Sequence, residues 1–199
     1  MIVILDYDAG NTHSIKHACT HLGFEAVLTS DITIINKASK LIVPGQGAFK
    51  QAMQNLKEKQ LIDPIKTLIK NDIPYFGICL GFQILFESST EHEKIDGLGI
   101  LPGHITRINA PKLKIPHMGW NSCTIKNSSM FKTINNESYF YFVHSYCLYD
   151  TDPNIISSTT PYGSDFVSAI CKNSIWGTQF HPEKSSDVGL KLLKNFLTL

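Results

Sequence analysis

Short apolar runs alternate with amphipathic stretches through the first half of the chain, and this alternation restricts the possible folds more than any other feature. The short apolar runs predict strands, and stretches with apolar side chains three or four residues apart predict helices. Strands are predicted at residues 2–6, 25–29, 40–43 and 75–78, and helices at 12–22, 48–58, 62–70 and 81–88. Because strand–helix–strand units join parallel strands, we expect an α/β fold of three layers, with a mostly parallel central sheet and helices on both faces.

The pattern changes after residue 97, where turn residues separate a series of shorter strand-like runs. These runs lie at residues 104–108, 121–125, 139–143, 146–149, 155–159, 166–171 and 174–180. We expect them to form antiparallel additions at the edge of the sheet. Residues 186–197 predict a closing helix with one apolar stripe. A length of 199 residues suits a single domain that spans 1–199.

Composition excludes several classes of protein. The formal net charge of +1 gives no field that favours nucleic acid or an anionic membrane, and we expect neither as a partner. The apolar runs fall short of the roughly 18 residues of a membrane span. The first seven residues predict a strand and not a signal peptide. The five cysteines include no CxxC pair, which argues against a disulfide framework or a metal site and favours a reducing cytoplasm.

Cys79 has a glycine two residues before it and another two residues after it, Gly77 and Gly81. This spacing is the sulfur counterpart of the G-x-S-x-G nucleophile elbow, a strained turn that presents its side chain at the carboxyl edge of a sheet. The start of the following helix favours a thiolate, and the Leu80 N–H can donate to a developing oxyanion. We interpret Cys79 as a nucleophile. The alternative is a small buried apolar residue, as most free cysteines are.

His181 and Glu183 come directly after the last predicted strand and are candidates for the base and its orienting carboxylate. On a continuing strand, residues two apart share a face, and Pro182 favours extended geometry at His181. His144 is the alternative base, ranked second because no carboxylate lies within a few residues of it, and His117 is third.

A glycine-rich turn at Gly45, Gln46 and Gly47 follows the third predicted strand and precedes a helix. Glycines let backbone amides approach a ligand closely, so this turn can supply a second oxyanion donor. An ordinary strand-to-helix turn is the alternative. A phosphate-binding loop is disfavoured, because no G-K-[ST] follows.

Together these segments resemble the class I (triad-type) glutamine amidotransferases, and in particular the glutaminase subunits of imidazole glycerol phosphate synthase, an enzyme of histidine biosynthesis. The similarity runs the length of the chain. It is carried by residues 44–47, 77–81, 116–121, 141–146, 179–185 and 192–197.

The resemblance implies the class I glutamine amidotransferase fold and a role for each matching residue. Cys79 would attack the side-chain amide of L-glutamine, His181 would act as base and acid, and Glu183 would orient His181. Leu80 and the turn at residues 45–47 would offer oxyanion amides, the turn after a peptide flip. The implied substrate-holding residues are Gln83, Glu91, Ser145 and Tyr146.

The resemblance also implies a partner and a use for the ammonia, with no cofactor and no metal. The partner is the (β/α)8-barrel cyclase subunit of imidazole glycerol phosphate synthase, in a heterodimer. Ammonia would pass to it through a tunnel and yield imidazole glycerol phosphate and an aminoimidazole carboxamide ribotide (AICAR). The implied interface and tunnel-gate residues are Asn11, Trp120, Tyr141 and Lys184.

Three positions depart from the family pattern. Asp8 and Thr12 replace a glycine and a leucine of the usual N-terminal turn, and Gln46 stands where a small apolar residue is common. Two other functions remain open. One is the same glutaminase chemistry serving a partner that amidates a sugar in surface-polysaccharide synthesis, and the other is a stand-alone γ-glutamyl hydrolase.

Overall fold

The computed structural model describes residues 1–126 and 128–199, and the elements of its first half match the predicted alternation. The strands are β1 (Ile2–Leu5), β2 (Ala26–Thr29), β3 (Lys40–Val43) and β4 (Tyr75–Ile78). The helices are α1 (Thr12–His21), α2 (Ile32–Ile35), α3 (Phe49–Glu58), α4 (Ile62–Lys70) and α5 (Leu80–Gln83). The four predicted strands and helices α1, α3 and α4 are confirmed to within one residue at each end. Helix α2, capped by the Asp31 side chain, was not predicted.

The prediction of a helix at 81–88 is wrong, because α5 ends at Gln83. The carbonyl oxygens of Ile84, Leu85 and Phe86 accept hydrogen bonds from the backbone N–H groups of residues 98–101. A helix would need those carbonyls for its own next turn. Pairing with a segment distant in sequence therefore stops the helix where local propensity would extend it.

The second half contains strands, two 3-10 turns and one long helix. The strands are β5 (Ser88–Ser89), β6 (Ile95–Asp96), β7 (His104–Arg107), β8 (His117–Ser122), β9 (Thr124–Ile125), β10 (Tyr139–His144), β11 (Tyr146–Leu148), β12 (Ile156–Tyr162), β13 (Ser164–Lys172) and β14 (Ile175–Thr178). The 3-10 turns are Ser129–Phe131 and Pro182–Lys184, and the closing helix is α6 (Ser186–Leu197), as predicted.

Among the described residues, twelve strands form one mixed sheet in the order β2-β1-β3-β4-β14-β13-β11-β7-β5-β6, with β12 pairing with β13 and β9. Strands β2, β1, β3, β4 and β14 are parallel to one another. Strands β13, β11 and β7 continue the sheet with antiparallel pairing. The predicted α/β fold class, with a mixed sheet between helices, is confirmed.

Two details of the predicted second half are wrong. The run at 174–180 was expected among the antiparallel additions, but β14 pairs in parallel with β4, with Gly177 opposite Gly77. All four residues of β14 are buried, as expected for an interior strand covered on both faces. The run at 121–125 divides into β8, which begins at His117, and β9. Strand β8 leaves the main sheet and pairs with β10 in a separate two-stranded sheet.

Buried apolar side chains form two cores, one on each face of the main sheet. Along β1, Val3 and Leu5 join one core, while Ile2 and Ile4 join the other, because successive side chains of a strand point to opposite faces. Helices α3 and α4 cover the first core, and α1 and α6 cover the second. No helix of the described part is both long and apolar enough to cross a membrane.

Asp8 lies in the left-handed region with φ of 59°. This conformation favours glycine, which is the residue usual at this position in the family that the chain resembles. The Asp8 carboxylate forms an ion pair of 3.0 Å with the Lys59 ammonium. The departure therefore exchanges an unstrained glycine for a surface contact to the end of α3.

Candidate active site

Four neighbouring parallel strands, β1, β3, β4 and β14, end on the same edge of the sheet. The glycine-rich turn follows β3, Cys79 follows β4, and Gln179 and His181 follow β14. Ligands of open α/β sheets bind at this carboxyl edge. The topology thus brings together residues that are about 100 positions apart in sequence.

Cys79 occupies a strained backbone conformation, with φ of 53° and ψ of −104°. Its N–H donates to the Thr178 carbonyl oxygen at 2.7 Å, which ties the elbow to β14. Gly81 packs so closely on β3 that a Cβ there would overlap the Val43 carbonyl oxygen. The Tyr75 hydroxyl donates to the Gly81 carbonyl oxygen at 2.8 Å. The predicted elbow is present, although the helix after it is a single turn.

His181 and Glu183 form a buried pair, with 2.9 Å between His181 Nδ1 and Glu183 Oε1 and side chains 2% and 3% exposed. His181 has the extended geometry expected before Pro182, with φ of −101° and ψ of 98°, but the chain does not continue as a strand: residues Pro182–Lys184 form a 3-10 turn that brings the carboxylate back to the ring. His181 Nε2, the nitrogen left for a reaction, has no hydrogen-bond partner among the described residues. Burial by itself lowers the pKa of His181, but the nearby Cys79 charge and the Glu183 carboxylate outweigh burial and raise that pKa.

His144 and His117, the alternative bases, already use their ring nitrogens inside the protein. His144 Nδ1 contacts the Tyr146 carbonyl oxygen at 2.9 Å, and His144 Nε2 contacts His117 Nδ1 at 3.0 Å. His117 Nε2 contacts the Asn121 amide at 3.3 Å. Burial lowers the pKa of His144 to about 3 and that of His117 to about 4, so both rings are neutral. The geometry favours His181 as the base.

The glycine-rich turn lies against the elbow. The Leu80 N–H donates to the Gly45 carbonyl oxygen at 3.4 Å, so a carbonyl and not an amide of the turn faces the expected oxyanion donor. The buried Tyr7 hydroxyl donates to the Pro44 carbonyl oxygen at 2.8 Å and anchors the start of the turn. Gly47 has φ of 109°, a conformation that favours glycine, and no atom lies within 4 Å of the position that a Cβ would take.

A cavity of about 380 Å³ opens over Cys79 and is large enough for a small ligand. It is lined by Gln46, Gly47, Cys79, Leu80, Gln83, Glu91, Pro116, Tyr141, Val143, His144, Ser145, Tyr146 and Lys184. All four predicted substrate-holding residues are therefore on its walls. Glu91 Oε2 accepts a hydrogen bond of 2.7 Å from the Phe49 N–H at the start of α3. The Tyr146 carbonyl oxygen is already occupied by the Gln83 amide.

Two of the four predicted interface residues, Tyr141 and Lys184, line this cavity, and Trp120 lies beside Tyr141. Trp120 on β8 is opposite Tyr141 on β10, with 6.3 Å between their ring centroids. The Lys184 ammonium lies 6.0 Å from the centroid of the Tyr141 ring. Asn11 instead caps helix α1, where its Oδ1 accepts from the Ser14 N–H at 3.2 Å. Met118, Trp120 and Tyr139 expose half or more of their surface, so this sheet presents an apolar face.

Sequence reasoning assigned no role to Tyr7 or Gln179, which the structure brings to the site. Gln179 Nε2 lies 3.6 Å from Cys79 Sγ. The separation of two between Gln179 and His181, at the end of a buried strand, was the available signal. Tyr7 gave no such signal, because its contact to Pro44 joins two different strand ends. Within residues 1–126 and 128–199, no three His, Cys, Asp or Glu side chains converge to hold a metal ion.

Comparison with known proteins places the chain among relatives of nearly equal length. The family model for glutamine amidotransferase class-I matches residues 3–199. The chain is 42% identical to imidazole glycerol phosphate synthase subunit HisH of Geobacter metallireducens, covering 98% of this chain and 96% of the relative. It is 46% identical to subunit HisH 2 of Methanococcus maripaludis, covering 99% and 98%.

Solved structures show the same fold at low sequence identity. A structure of PurLQS from Thermotoga maritima aligns with a TM-score of 0.78 and 18% identity, covering 99% of this chain and 97% of that one. A crystal structure of a glutamine amidotransferase aligns with a TM-score of 0.77 and 17% identity, covering 98% and 99%. At this identity the structural matches bear on the fold alone.

Proposed function

This chain belongs to the class I glutamine amidotransferases, and among them to the HisH subunits of imidazole glycerol phosphate synthase, and we propose that it hydrolyses L-glutamine through Cys79, His181 and Glu183 and passes the ammonia to a cyclase subunit. The observation that carries the chemistry is the buried His181–Glu183 pair beside the strained Cys79 elbow. We propose that residues 1–199 act as one domain, working in the cytoplasm. The five free cysteines suit a reducing compartment.

Acylation begins when His181 Nε2 takes the proton of the Cys79 thiol and the thiolate attacks the side-chain carbonyl carbon of glutamine. His181 Nε2 gives a proton to the departing nitrogen, and the C–N bond breaks to release ammonia and leave a γ-glutamyl thioester. Glu183 fixes the His181 tautomer through Nδ1 and stabilises the imidazolium form. The pKa of His181 is raised by the Cys79 charge first and by Glu183 second, which keeps the proton available for the leaving group.

Deacylation reverses the proton transfers. His181 takes a proton from a water molecule, whose oxygen attacks the thioester carbonyl carbon. The C–S bond then breaks, glutamate leaves, and Cys79 returns to its starting state. Ammonia and glutamate account for all atoms of glutamine and water.

The cavity walls offer complementary groups for the amino-acid end of glutamine. One Glu91 oxygen is held by the Phe49 N–H, which orients the carboxylate to attract the substrate ammonium. Both amide hydrogens of Gln83 are engaged, with the Tyr146 carbonyl oxygen and the Gln179 side chain at 2.9 Å each. Gln83 therefore has only its Oε1 acceptor to offer. Ser145 and Tyr146 line the same cavity, although the Ser145 carbonyl oxygen accepts from the Ile108 N–H and the Tyr146 carbonyl oxygen accepts from Gln83.

The oxyanion site forms only after the glycine-rich turn rearranges. In the present arrangement the Gly45 carbonyl oxygen occupies the Leu80 N–H. A peptide flip in the turn at residues 45–47 would free the Leu80 N–H and direct a second amide at the oxyanion. We propose that this flip keeps hydrolysis slow until the partner and its nucleotide are bound. Gln46 stands where the family pattern has a smaller residue, and we propose that its larger side chain changes how readily the turn flips.

The apolar face of the two-stranded sheet supports docking of a partner beside the cavity mouth. Its exposed members Met118, Trp120 and Tyr139 form the type of aromatic surface that is common at interfaces. We propose that this partner is a (β/α)8-barrel cyclase in a heterodimer, with Tyr141 and Lys184 gating the passage of ammonia and Asn11 at the rim. Reaction of the ammonia with the acceptor bound to the cyclase would then give imidazole glycerol phosphate and AICAR.

The test is glutamate release from glutamine by the pure chain, measured alone and with the cyclase subunit plus its nucleotide ligand. We expect slow release by the chain alone and strong stimulation by the liganded partner. Equal, rapid hydrolysis in both conditions would instead identify a stand-alone γ-glutamyl hydrolase. A deletion strain that grows without histidine but has an altered surface glycan would assign the ammonia to sugar amidation.

A further inference from the structure

Gln179 makes a contact with the nucleophile that the mechanism above does not use. Its side chain is fully buried, and its Nε2 lies 3.6 Å from Cys79 Sγ, within the range of an N–H···S hydrogen bond. It follows β14 directly and precedes His181 by two residues. One segment therefore carries both side chains that face the sulfur.

The hydrogen-bond network fixes which end of the Gln179 amide meets the sulfur. A backbone carbonyl oxygen only accepts, so the Gln83 group 2.9 Å from the Tyr146 oxygen must be its NH₂. The same Nε2 lies 2.9 Å from the Gln179 side chain, which must therefore present Oε1 to Gln83. Gln179 is left with its NH₂ group directed at Cys79. Reversing either amide would place two donors or two acceptors against each other.

The Tyr146 carbonyl oxygen that begins this network is itself held by buried histidines. Because His144 Nδ1 must donate to that oxygen, the neutral His144 ring accepts at Nε2 from His117 Nδ1–H. His117 Nε2 in turn accepts from the Asn121 amide, whose nitrogen also donates to the Pro161 carbonyl oxygen at 2.8 Å. Every donor in the network has an acceptor: the histidine series ends at the Tyr146 carbonyl oxygen, which also accepts from Gln83, and the Gln179 amide donates to the sulfur.

We propose that Gln179 is a positioning residue that directs an amide N–H at Cys79 Sγ, favours the thiolate over the thiol, and holds the sulfur toward the cavity. This proposal rests on the proposed function of Cys79 as nucleophile. A hydrogen bond to the charged form of a group favours that form. Gln83 and the Tyr146 carbonyl oxygen set the orientation of Gln179, and His181 remains the group that moves protons.

The test compares Gln179→Met with Thr178→Val in the full chain. Methionine keeps the length of glutamine but cannot donate. Thr178→Val removes the buried hydrogen bond from the Thr178 hydroxyl to the Phe180 carbonyl oxygen, on the same segment, without touching the sulfur. The readout is the rate of iodoacetamide alkylation of the Cys79 peptide against pH, followed by mass spectrometry. Near-ultraviolet circular dichroism checks that each variant is folded.

The free energy lost with one hydrogen bond to a charged group corresponds to a shift of about one pH unit in the midpoint of its titration. We expect the alkylation midpoint of Gln179→Met to rise by about that amount, with that of Thr178→Val unchanged. With glutamine and the liganded partner, kcat/KM of Gln179→Met should fall about tenfold at neutral pH and recover as the pH rises. An unshifted midpoint in folded Gln179→Met would overturn the proposal. A shifted midpoint without any glutamine hydrolysis by the parent chain would instead count against the proposed function.

A second measurement uses the unaltered chain and does not depend on whether a variant folds. In protein labelled with ¹⁵N in the glutamine side chains, the Gln179 amide protons should shift with the same midpoint as Cys79 alkylation. In Cys79→Ala the Gln179 amide protons should show no shift with this midpoint. Comparison of the two spectra also identifies which signals belong to Gln179. Gln179 signals that stay constant through the Cys79 titration would overturn the proposal.

Discussion

Cys79 combines the chemistry of the site with a local backbone strain. A non-glycine residue held in an unfavourable φ/ψ region costs about 1–3 kcal/mol, and it persists only when its surroundings fix it. Here the Cys79 N–H is bound to the Thr178 carbonyl oxygen, and the following turn is fixed by the Tyr75 hydroxyl on Gly81. The strain directs the sulfur into the cavity, away from the sheet below it.

Gly81→Ala should destabilise the fold by about 3 kcal/mol, because the new Cβ would overlap the Val43 carbonyl oxygen and force β3 and β4 apart. Gly23→Ala is the matched control. Gly23 has φ of 84° but nothing within 4 Å of its Cβ position, so its substitution should cost about 1 kcal/mol from backbone strain alone. Urea unfolding at neutral pH measures both. Equal losses of unfolding free energy in the two variants would show that the contact between Gly81 and Val43 has room for a Cβ.

The two-stranded sheet of β8 and β10 has two different faces because side chains alternate along each strand. One face buries His117, Phe142 and His144 against the second core, and the other exposes Met118 and Trp120. A single element therefore joins the buried histidine network to the apolar surface beside the cavity mouth.

The buried face predicts a pH dependence of stability. Burial keeps His117 and His144 neutral in the fold down to about pH 4 and 3, whereas unfolded imidazoles bind protons near pH 6.5. The unfolded chain therefore binds more protons below pH 6.5, and the fold loses stability as the pH falls from about 6.5 toward 4. In His144→Gln the slope of the free energy of unfolding against pH should be shallower over this window, by about 1.4 kcal/mol per pH unit.

Urea unfolding between pH 4.5 and 6.5 measures that slope, with His13→Gln as the control. His13 is an exposed histidine of α1 outside the buried network, so His13→Gln controls for the loss of an imidazole from the surface. A His144→Gln slope equal to that of the parent would mean that His144 binds its proton equally in the folded and unfolded states.

The exposed face predicts the effect of one substitution on the proposed complex. Trp120 is 51% exposed on the apolar face, and buried aromatic anchors typically contribute 2 kcal/mol or more to an interface. Trp120→Ala should therefore weaken binding of the cyclase about 30-fold while leaving the thermal midpoint near that of the parent. Leu199→Ala removes an equally exposed apolar side chain at the chain end and should leave Kd unchanged. Equal affinities for both variants would place the interface elsewhere.

At the scale of the whole molecule, the proposed sites for glutamine and for the acceptor lie in different proteins. This separation predicts that loss of the nucleophile is selective. Cys79→Ala should lower glutamine-dependent synthesis in the complex by at least three orders of magnitude. Removal of the nucleophile from a catalytic triad can lower kcat about 10⁶-fold. Synthesis from added ammonium chloride should continue at the parent rate. Loss of both activities would argue that Cys79 supports the structure of the complex.

The predictions that held depend on local patterns. The strands and long helices of the first half follow from the spacing of apolar residues within each segment, and the elbow follows from glycines within two positions of Cys79. The same patterns failed where distant groups compete for the backbone. Helix α5 ends early because residues 98–101 take the carbonyls of the next turn, and β14 lies inside the sheet because it pairs with β4, a strand about 100 residues earlier.

For the site, the sequence by itself determined which residue types stand at the strand ends, and so the nucleophile and the His181–Glu183 pair were predicted. Only the tertiary structure decided how they meet. It folds residues 182–184 into a 3-10 turn that returns Glu183 to His181, sets the Gly45 carbonyl oxygen on the Leu80 N–H, and directs the Gln179 amide at the Cys79 sulfur. The reason is physical: each of these contacts joins groups from different strand ends, and strand order and hydrogen-bond geometry, not neighbouring residues, set the distances between them.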